Sequence, residues 1–371
     1  MLNIIVLGLR GIPDIQGGIE KHCEQLYPKF VQYGCNIEIV GRSPFLKKKQ
    51  SYYHKLLVRR LYAPDPKYKG LEAFVNTFIG VLYAALRKPD IVHIHAVGPA
   101  LFVPLARILG LKVIVTHHGF DYQREKWGNF AKKIIRWGEY LGMNFANQRI
   151  VVSEEIKKHL KQTYGLESVK IPNGVKIETE KMTENALKNF KLQKQRYILM
   201  VSRFVPEKRQ EDLIKAFSDA EINGWKLVLV GDISHEDQYI KKVIDLSQKN
   251  SNIVLTGFQH GAMLKSLYAN AGLFVLPSSH EGLPIVILEA LSFGIPVIAS
   301  DINANLEVNL SKSSYFKLGD IIQLKKKILE TVKNIDLIDR RFLINHAKQY
   351  SWDVIAKKTF DVYLQFNVKN R

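Results

Sequence analysis

Two stretches in the second half of the chain place charged side chains where a phosphorylated small molecule could be handled. In Pro277-Ser278-Ser279-His280-Glu281-Gly282-Leu283-Pro284-Ile285-Val286-Ile287-Leu288-Glu289-Ala290, an apolar run ends at Pro277, a polar loop follows, and a helix is expected to open at Pro284 and Ile285. Proline suits a first helical turn because it has no N–H to lose there. The exposed amides and dipole of such a helix start attract an anion, a diphosphate among them. Glu281 stands in the loop, where it could accept hydrogen bonds from sugar hydroxyls. Glu289, about one turn inside the helix, could accept them from a ribose. Either alone reads as a surface carboxylate, the ordinary place for a glutamate; two that flank a helix start in an apolar setting read otherwise. In Val201-Ser202-Arg203-Phe204-Val205-Pro206-Glu207-Lys208-Arg209, another strand end offers Arg203 and Lys208 five residues apart. Negative charge developing on a departing phosphate would be stabilised there by fixed positive charge, with no metal ion needed. A solvated basic loop is the plainer alternative.

These loops need a scaffold, and the chain has the pattern of one. Short β-branched runs alternate with longer amphipathic stretches, the signature of βαβ units and parallel sheets. In the first half, strands are expected at 3–8, 36–41, 90–95, 112–117 and 148–152, with helices at 18–33, 71–87, 98–109, 129–147 and 154–164. Residues 43–69 break the rhythm and mix Lys47, Lys48, Lys49, Arg59, Arg60, Lys67 and Lys69 with four tyrosines. A second series follows Ile171-Pro172-Asn173-Gly174-Val175: strands at 197–202, 226–231, 252–257, 273–277 and 296–300, helices at 211–220, 237–249, 262–270, 285–293 and 321–333. The expected fold is α/β with two Rossmann-like, doubly wound domains, residues 1–172 and 173–351. Ligands of such sheets collect at the carboxyl ends of the strands, so a cleft between the domains is the expected site. The amphipathic segment 352–366 is expected to cross back to the first domain, which would then include 352–371.

The bulk numbers bound the rest. The 371 residues fit two domains, 46% hydrophobic and 24% charged, a globular composition. Cys23 and Cys35 form no metal or disulfide pattern and suit a reducing cytoplasm. The start reads as a strand rather than a signal peptide, and no apolar stretch is long enough to cross a bilayer. The expectation is a cytoplasmic protein, soluble or peripheral on the inner face of the membrane. The net charge of +19 is uneven: residues 1–172 hold 26 Lys/Arg against 13 Asp/Glu, the remainder 28 against 22. Such a surplus suits lipid headgroups, nucleic acid or a phosphorylated substrate, or is simply a basic, solvated surface. Nucleic acid is disfavoured, because no helix-turn-helix, zinc-finger or RNA-binding signature occurs. A nicotinamide dehydrogenase would need Gly-x-Gly-x-x-Gly after the first strand, and Gly8-Leu9-Arg10-Gly11 does not supply it. A non-catalytic binding protein remains the other alternative.

Together the 281–289 motif, the Arg203/Lys208 loop and Gly17-Gly18 resemble family 4 retaining glycosyltransferases of GT-B fold. The resemblance covers nearly the whole chain. Its start, Leu7-Gly8-Leu9-Arg10-Gly11-Ile12-Pro13 with Gly17-Gly18-Ile19-Glu20, is similar to a subset that includes rhamnosyltransferases. The resemblance implies an acceptor-binding first domain and a second domain that binds a nucleoside-diphosphate sugar of UDP, GDP or dTDP type. Arg203 and Lys208 would hold the donor phosphates, with Leu283 and Ile285 also donor-binding. Glu289 would bind the ribose, and Glu281 would face the transferred sugar. Gly17 and Gly18 would admit the donor and acceptor where a Cβ would intrude, and His118 would lie near the sugar. Pro284 departs from the family, many of whose members have Gly there; it removes one amide from this end of the site. The implied reaction is metal-independent transfer with retention of configuration, in bacterial surface polysaccharide synthesis such as O-antigen, capsule or exopolysaccharide. No residue stands out as a covalent nucleophile, and Glu281 is the one carboxylate to test for that role. The acceptor would be a saccharide, polyprenyl-diphosphate-linked as for many relatives. Lys47–Lys69 and the helix with Lys126, Lys132, Lys133 and Arg136 would then rest on an anionic membrane surface.

The histidines allow one competing reading. His93 and His95 alternate along a strand and share a face, while His117 and His118 end the neighbouring one. Four histidines invite zinc. No Asp, Glu or Cys completes the set, and the cationic loop already supplies charge, so no metal is expected.

Overall fold

The computed structural model describes residues 2–15, 17–68, 70–123, 127–177, 184–233, 237–282 and 284–368. Leu283, Lys69 and Lys126 lie outside them. The chain divides into two compact units, Met1–Gly174 with Trp352–Arg371, and Val175–Ser351. The division after Gly174 falls two residues beyond the expected 172.

The first unit is built on β1 (Leu2–Leu7), α1 (Gly18–Leu26), β2 (Cys35–Arg42), β3 (Gln50–Tyr53), β4 (Leu56–Leu61), α2 (Leu71–Arg87), β5 (Ile91–His95), α3 (Val103–Ile108), β6 (Val113–His117), α4 (Asn129–Phe145), β7 (Gln148–Val151), α5 (Glu154–Tyr164) and β8 (Val169–Lys170). Its sheet runs β3-β4-β2-β1-β5-β6-β7-β8. All pairs are parallel except β3 with β4. Strands buried on both faces read as near-continuous apolar runs, as in Ile4–Leu7 and Val113–Val115.

Two expectations need correction here. The stretch 43–69 is not irregular: it contains the β3–β4 hairpin, with β4 extending the sheet beside β2. Its buried Leu56 and Val58, alternating with half-buried Leu57 and Arg59, carry a strand period that the surrounding lysines obscured. The helices expected at 18–33 and 98–109 each break into two. Residues Tyr27–Tyr33 and Pro99–Phe102 are 3-10 turns, and prolines at the first positions of these segments and of α3 cannot donate to a continuous α ladder.

The second unit holds α6 (Asn185–Asn189), β9 (Tyr197–Val201), α7 (Gln210–Ala220), β10 (Lys226–Val230), α8 (Gln238–Gln248), β11 (Ile253–Leu255), α9 (Gly261–Asn270), β12 (Leu273–Leu276), α10 (Ile285–Ser292), β13 (Val297–Ser300), α11 (Asn303–Leu306), β14 (Tyr315–Phe316), α12 (Ile321–Lys333) and α13 (Arg340–Lys348). Its all-parallel sheet runs β11-β10-β9-β12-β13-β14, and the order reverses at β9/β12, where doubly wound sheets bind ligands. The final helix α14 (Trp352–Val368) belongs to the first unit. It buries Trp352, Ile355, Ala356, Val362 and Tyr363 in the same core as Ile4, Tyr27 and Phe30.

Candidate active site

In the second unit, β9 and β12 end side by side and their loops are tied together. The Ser279 amide donates to the Glu207 carbonyl at 2.9 Å, and Lys208 forms an ion pair with Glu281. The lysine side chain is only 14% exposed and the glutamate 11%, so the pair is held largely out of water. Arg203 is the outer cation, 52% exposed, with Glu207 at 3.9 Å. Fully buried Gln210 shapes the arginine loop, donating to the Ser202 hydroxyl at 3.0 Å and to the Arg203 carbonyl at 2.8 Å. Each expected cation therefore stands beside a carboxylate, and the loops do not present unopposed positive charge.

Helix α10 opens as its sequence suggests, with one correction. Pro284 is the N-cap and Ile285 the first helical residue, so the proline stands just outside the helix rather than in its first turn. No side chain caps this end. Glu289 lies four residues in and accepts a 3.0 Å hydrogen bond from the Tyr268 hydroxyl. The structure thus joins Lys208 to Glu281 directly and sets Arg203 and Glu289 on neighbouring elements of the same unit.

In the first unit, His93, His95 and His118 stack along the β5 and β6 strand ends, with ring centroids 4.3 Å and 5.2 Å apart. A hydrogen-bond chain runs through them. His95 Nδ1 meets His118 Nε2 at 2.9 Å, and His95 Nε2 meets the Tyr27 hydroxyl at 2.6 Å. Tyr27 also lies 3.0 Å from His93 Nδ1, and the Tyr363 hydroxyl of α14 closes the chain on that same nitrogen. Burial, reinforced by the neighbouring imidazoles, holds His95 and His118 well below the usual histidine range, and pushes His93 down to about 3. These rings are neutral donors and acceptors.

His22, on α1, completes the group. Its ring stands edge-on to His118 at 4.9 Å and to Trp352 at 5.3 Å. Its Nδ1–H donates to Asn173 Oδ1 at 3.1 Å, which leaves Nε2 as the acceptor. Burial drives it down to about 4, against the raising effect of Asn173. The ligand atoms of His22, His95 and His118 lie within 4.8 Å of one another; among the described residues these three could hold a metal ion. The four-histidine set read from the sequence divides instead. His117 belongs to another network, donating from Nε2 to Glu139 at 2.7 Å and accepting from the Gly119 amide at Nδ1.

Gly17 and Gly18 differ. Gly17 has φ 156° and a Cβ there would meet the Glu20 carboxylate at 1.9 Å, whereas one at Gly18 would meet nothing within 4 Å. Of the two, only Gly17 would require a neighbour, the end of the Glu20 side chain, to move for a Cβ. His22, Tyr27, Asn173 and Tyr363 escaped the sequence reading. The one signal was His22 on the expected first helix, five residues after Gly17.

Comparison with known proteins fixes the class. The model described as glycosyl transferases group 1 matches residues 181–350, and that of glycosyltransferase family 4 matches 16–179. An uncharacterized glycosyltransferase of Methanocaldococcus jannaschii is 25% identical over 380 residues, covering 95% of each chain. Sucrose-phosphate synthase from Thermosynechococcus elongatus has a TM-score of 0.85 at 19% identity, covering 100% of both chains. The chain is a GT4-type glycosyltransferase of GT-B fold. HepE from Anabaena, in complex with UDP and glucose, has the same fold at a TM-score of 0.79 and 18% identity, covering 98% of this glycosyltransferase and 100% of HepE. The UDP-Gal:alpha-D-GlcNAc-diphosphoundecaprenol alpha-1,3-galactosyltransferase of Escherichia coli is 29% identical over 242 residues, 60% of this chain and 61% of its own. Among the described residues no helix is long and apolar enough to cross a membrane.

Proposed function

We propose that this glycosyltransferase moves a sugar from a nucleoside diphosphate to a lipid-linked saccharide, with retention of anomeric configuration and without a metal ion, in the synthesis of a bacterial surface polysaccharide. The observation that carries the reading is the Lys208–Glu281 pair beside Arg203 and the uncapped start of α10. The donor pyrophosphate would lie against that start, where backbone amides and the helix dipole favour an anion. Lys208 has three N–H donors and spends only part of that capacity on Glu281, so it can hold a phosphate oxygen and the carboxylate together. Arg203 would close over the phosphates and neutralise the charge that builds as the glycosidic bond breaks. Glu281, held by the lysine, would face the sugar hydroxyls and Glu289 the ribose. Gly17 and Gly18 would admit the donor and acceptor.

His118 would meet the sugar as a neutral imidazole, its orientation fixed by His95. The late proton of the acceptor hydroxyl would pass to the leaving phosphate. The E. coli relative's diphosphoundecaprenol-linked acceptor supports a lipid-linked acceptor here, and the basic first half supports contact with an anionic membrane surface. The sequence around Gly8–Glu20 makes a rhamnosyl donor one to test. A thermal-shift screen of UDP, GDP and dTDP against wild type, Arg203→Ala and Lys208→Ala tests the donor site. One diphosphate should stabilise wild type and lose its effect in both variants; equal shifts in all three proteins would reject the reading. Proton NMR of the product anomer tests retention.

A further inference from the structure

His22, His95 and His118 converge from three elements of one packed framework. His22 lies on α1, His95 ends β5 and His118 follows β6. The two strands are neighbours, with His95 opposite Thr116. Behind them Gly8 approaches so closely that a Cβ would lie 2.2 Å from the His95 carbonyl oxygen. Side chains held in this way keep their positions better than side chains on loops.

Their spacing is that of ligands around one small ion. Imidazoles bound to a tetrahedral zinc through nitrogens at ~2.0–2.1 Å have ring centroids about 5 Å apart. Here the centroids stand 4.9 Å apart for His22 and His118, 5.2 Å for His95 and His118, and 5.7 Å for His22 and His95. One nitrogen of each ring lies within 4.8 Å of those of the other two. The group contains no carboxylate, and an all-imidazole set suits zinc rather than magnesium, calcium or manganese, which seek oxygen.

The far nitrogens are placed as a metal site requires, because metal-bound histidine gives its remaining N–H to a partner behind it. His22 does so: Nδ1–H donates to the Asn173 side chain at 3.1 Å, which frees Nε2. His95 does so with Nε2, 2.6 Å from the Tyr27 hydroxyl, and Tyr27 can direct its own proton to His93 Nδ1 at 3.0 Å. His95 Nδ1 is left with a lone pair, which meets His118 Nε2 at 2.9 Å. His118 donates its Nε2 proton in that hydrogen bond. Moving the proton to Nδ1 turns this donor into a third ligand, and none is released overall. Burial keeps all three rings deprotonated at neutral pH, so protons do not compete with the ion.

We propose that His22, His95 and His118 bind a zinc ion, with Asn173 and Tyr27 orienting the first two rings, and that the occupied site blocks sugar transfer. His22 and His95 are buried while His118 is partly exposed. The ion therefore enters beside His118, and water or an anion fills its fourth position there. Zinc on Nε2 takes His118 away from the sugar and sets two positive charges where the breaking glycosidic bond leaves the sugar electron-poor. Zinc is then an inhibitor of a metal-free reaction. The block rests on the sugar role proposed for His118; the binding of zinc does not.

The test uses the full chain, stripped of metal by a chelator, as wild type, His22→Asn and Tyr27→Phe, the last keeping the ring that fills the core. Near-ultraviolet circular dichroism of each metal-free protein checks its fold. Zinc affinity is read by competition with a chromophoric chelator, and cobalt(II) in place of zinc reports geometry through its visible bands. Wild type should take one zinc per chain and give the intense bands of tetrahedral cobalt. His22→Asn should lose about a hundredfold or more in affinity, and Tyr27→Phe, which removes only the orienting hydroxyl, about tenfold to a hundredfold. Nucleoside diphosphate release from the sugar nucleotide should fall in wild type as zinc fills the site and recover when chelator is added. In His22→Asn it should stay constant, and magnesium should inhibit neither protein. Equal zinc affinity in all three proteins, or an octahedral cobalt spectrum, would overturn the site. Equal inhibition of wild type and His22→Asn would overturn the block, and so would full turnover with one zinc bound, which would also remove the sugar role of His118. Zinc binding in a chain that shows no nucleoside-diphosphate thermal shift would support the site while rejecting the donor loops.

Discussion

Lys208 and Glu281 meet as ions in one unit, whereas His95 and His118 meet as neutral rings in the other. The difference follows from their neighbours. Lys208 and Glu281 offset each other's desolvation with opposite charge. His95 is surrounded by His22, His93 and His118, so burial and like-charge repulsion both remove its proton. A charged loop suits a diphosphate, and an uncharged chain of donors and acceptors suits the hydroxyls of a sugar or acceptor. Two units of similar sheet architecture thus supply different chemistry, set by what surrounds each titratable group.

Glu139 sharpens the contrast, since it is a buried ion in the unit of neutral rings, 1% exposed. Burial alone would raise its carboxyl, but His117, with Tyr164 and His159, holds it down to about 2. Tyr164 donates to it at 2.8 Å and His117 at 2.7 Å. Replacing Glu139 by Ala leaves those donors without their acceptor and should cost about 3–5 kcal/mol in denaturant unfolding. A loss below about 1 kcal/mol would show that this ion is not structural.

Acid should next separate the two kinds of group. His22 titrates near 4 when folded, against about 6.5 unfolded. Its folded value is depressed, so the unfolded chain takes up the proton first. The contribution, roughly 3 kcal/mol at ~1.36 kcal/mol per unit, is complete above about pH 6.5 and lost as pH falls toward 4. Glu139, depressed to about 2, keeps its contribution until the pH drops below the ordinary carboxylate range. Hydrogen exchange of β5 and β6 should therefore accelerate as pH falls below about 6.5, and His22→Asn should remove only the His22 share, the depressed His93, His95 and His118 keeping the rest. Protection unchanged across that window would contradict the neutral-ring account.

The donor loops offer a third contrast, this time in rate. Lys208→Ala should cut transfer by about 10² or more, as loss of an electrostatic stabiliser does, and Arg203→Ala should do the same despite its greater exposure. Release of the nucleoside diphosphate, followed at saturating donor, measures this. Turnover close to wild type in either would refute the phosphate role.

The sequence exposed the second unit's loops more fully than the first unit's site, for a physical reason. Arg203, Lys208, Glu281 and Glu289 follow strand ends in βα units, so local pattern alone places them. The ion pair between Lys208 and Glu281 was harder to foresee, because it needs β9 and β12 to be neighbours across 73 residues. In the first unit His93 and His95 were legible from strand alternation and His118 from its place at the end of the next strand and from the family resemblance, but their partners come from α1, the segment before Gly174 and α14. Tyr363 meets His93 across 270 residues, a separation that no local period records. The elements show the same division. Long amphipathic helices such as α2 and α5 match the expected ranges end to end, while the two-residue β14 and the hairpin within 43–69 depend on a sheet already present beside them.

The smallest expected effect is at Glu289, where structural and ligand roles can be separated by choice of substitution. One carboxylate oxygen accepts from Tyr268, a side chain only 2% exposed. Glu289→Ala removes that acceptor and should lower stability by about 1 kcal/mol in addition to any loss of donor binding. Glu289→Gln retains an acceptor for Tyr268 and removes only the charge, so folding should persist while nucleoside-diphosphate affinity falls about tenfold, the scale of one charge-assisted hydrogen bond. If titration of the stabilising diphosphate is the same for the Glu289→Gln variant and wild type, the carboxylate serves Tyr268 and not the ribose. That outcome would place Glu289 with Glu139 as a structural acid and leave donor binding in this unit to the phosphate contacts of Arg203, Lys208 and the start of α10 and to Glu281.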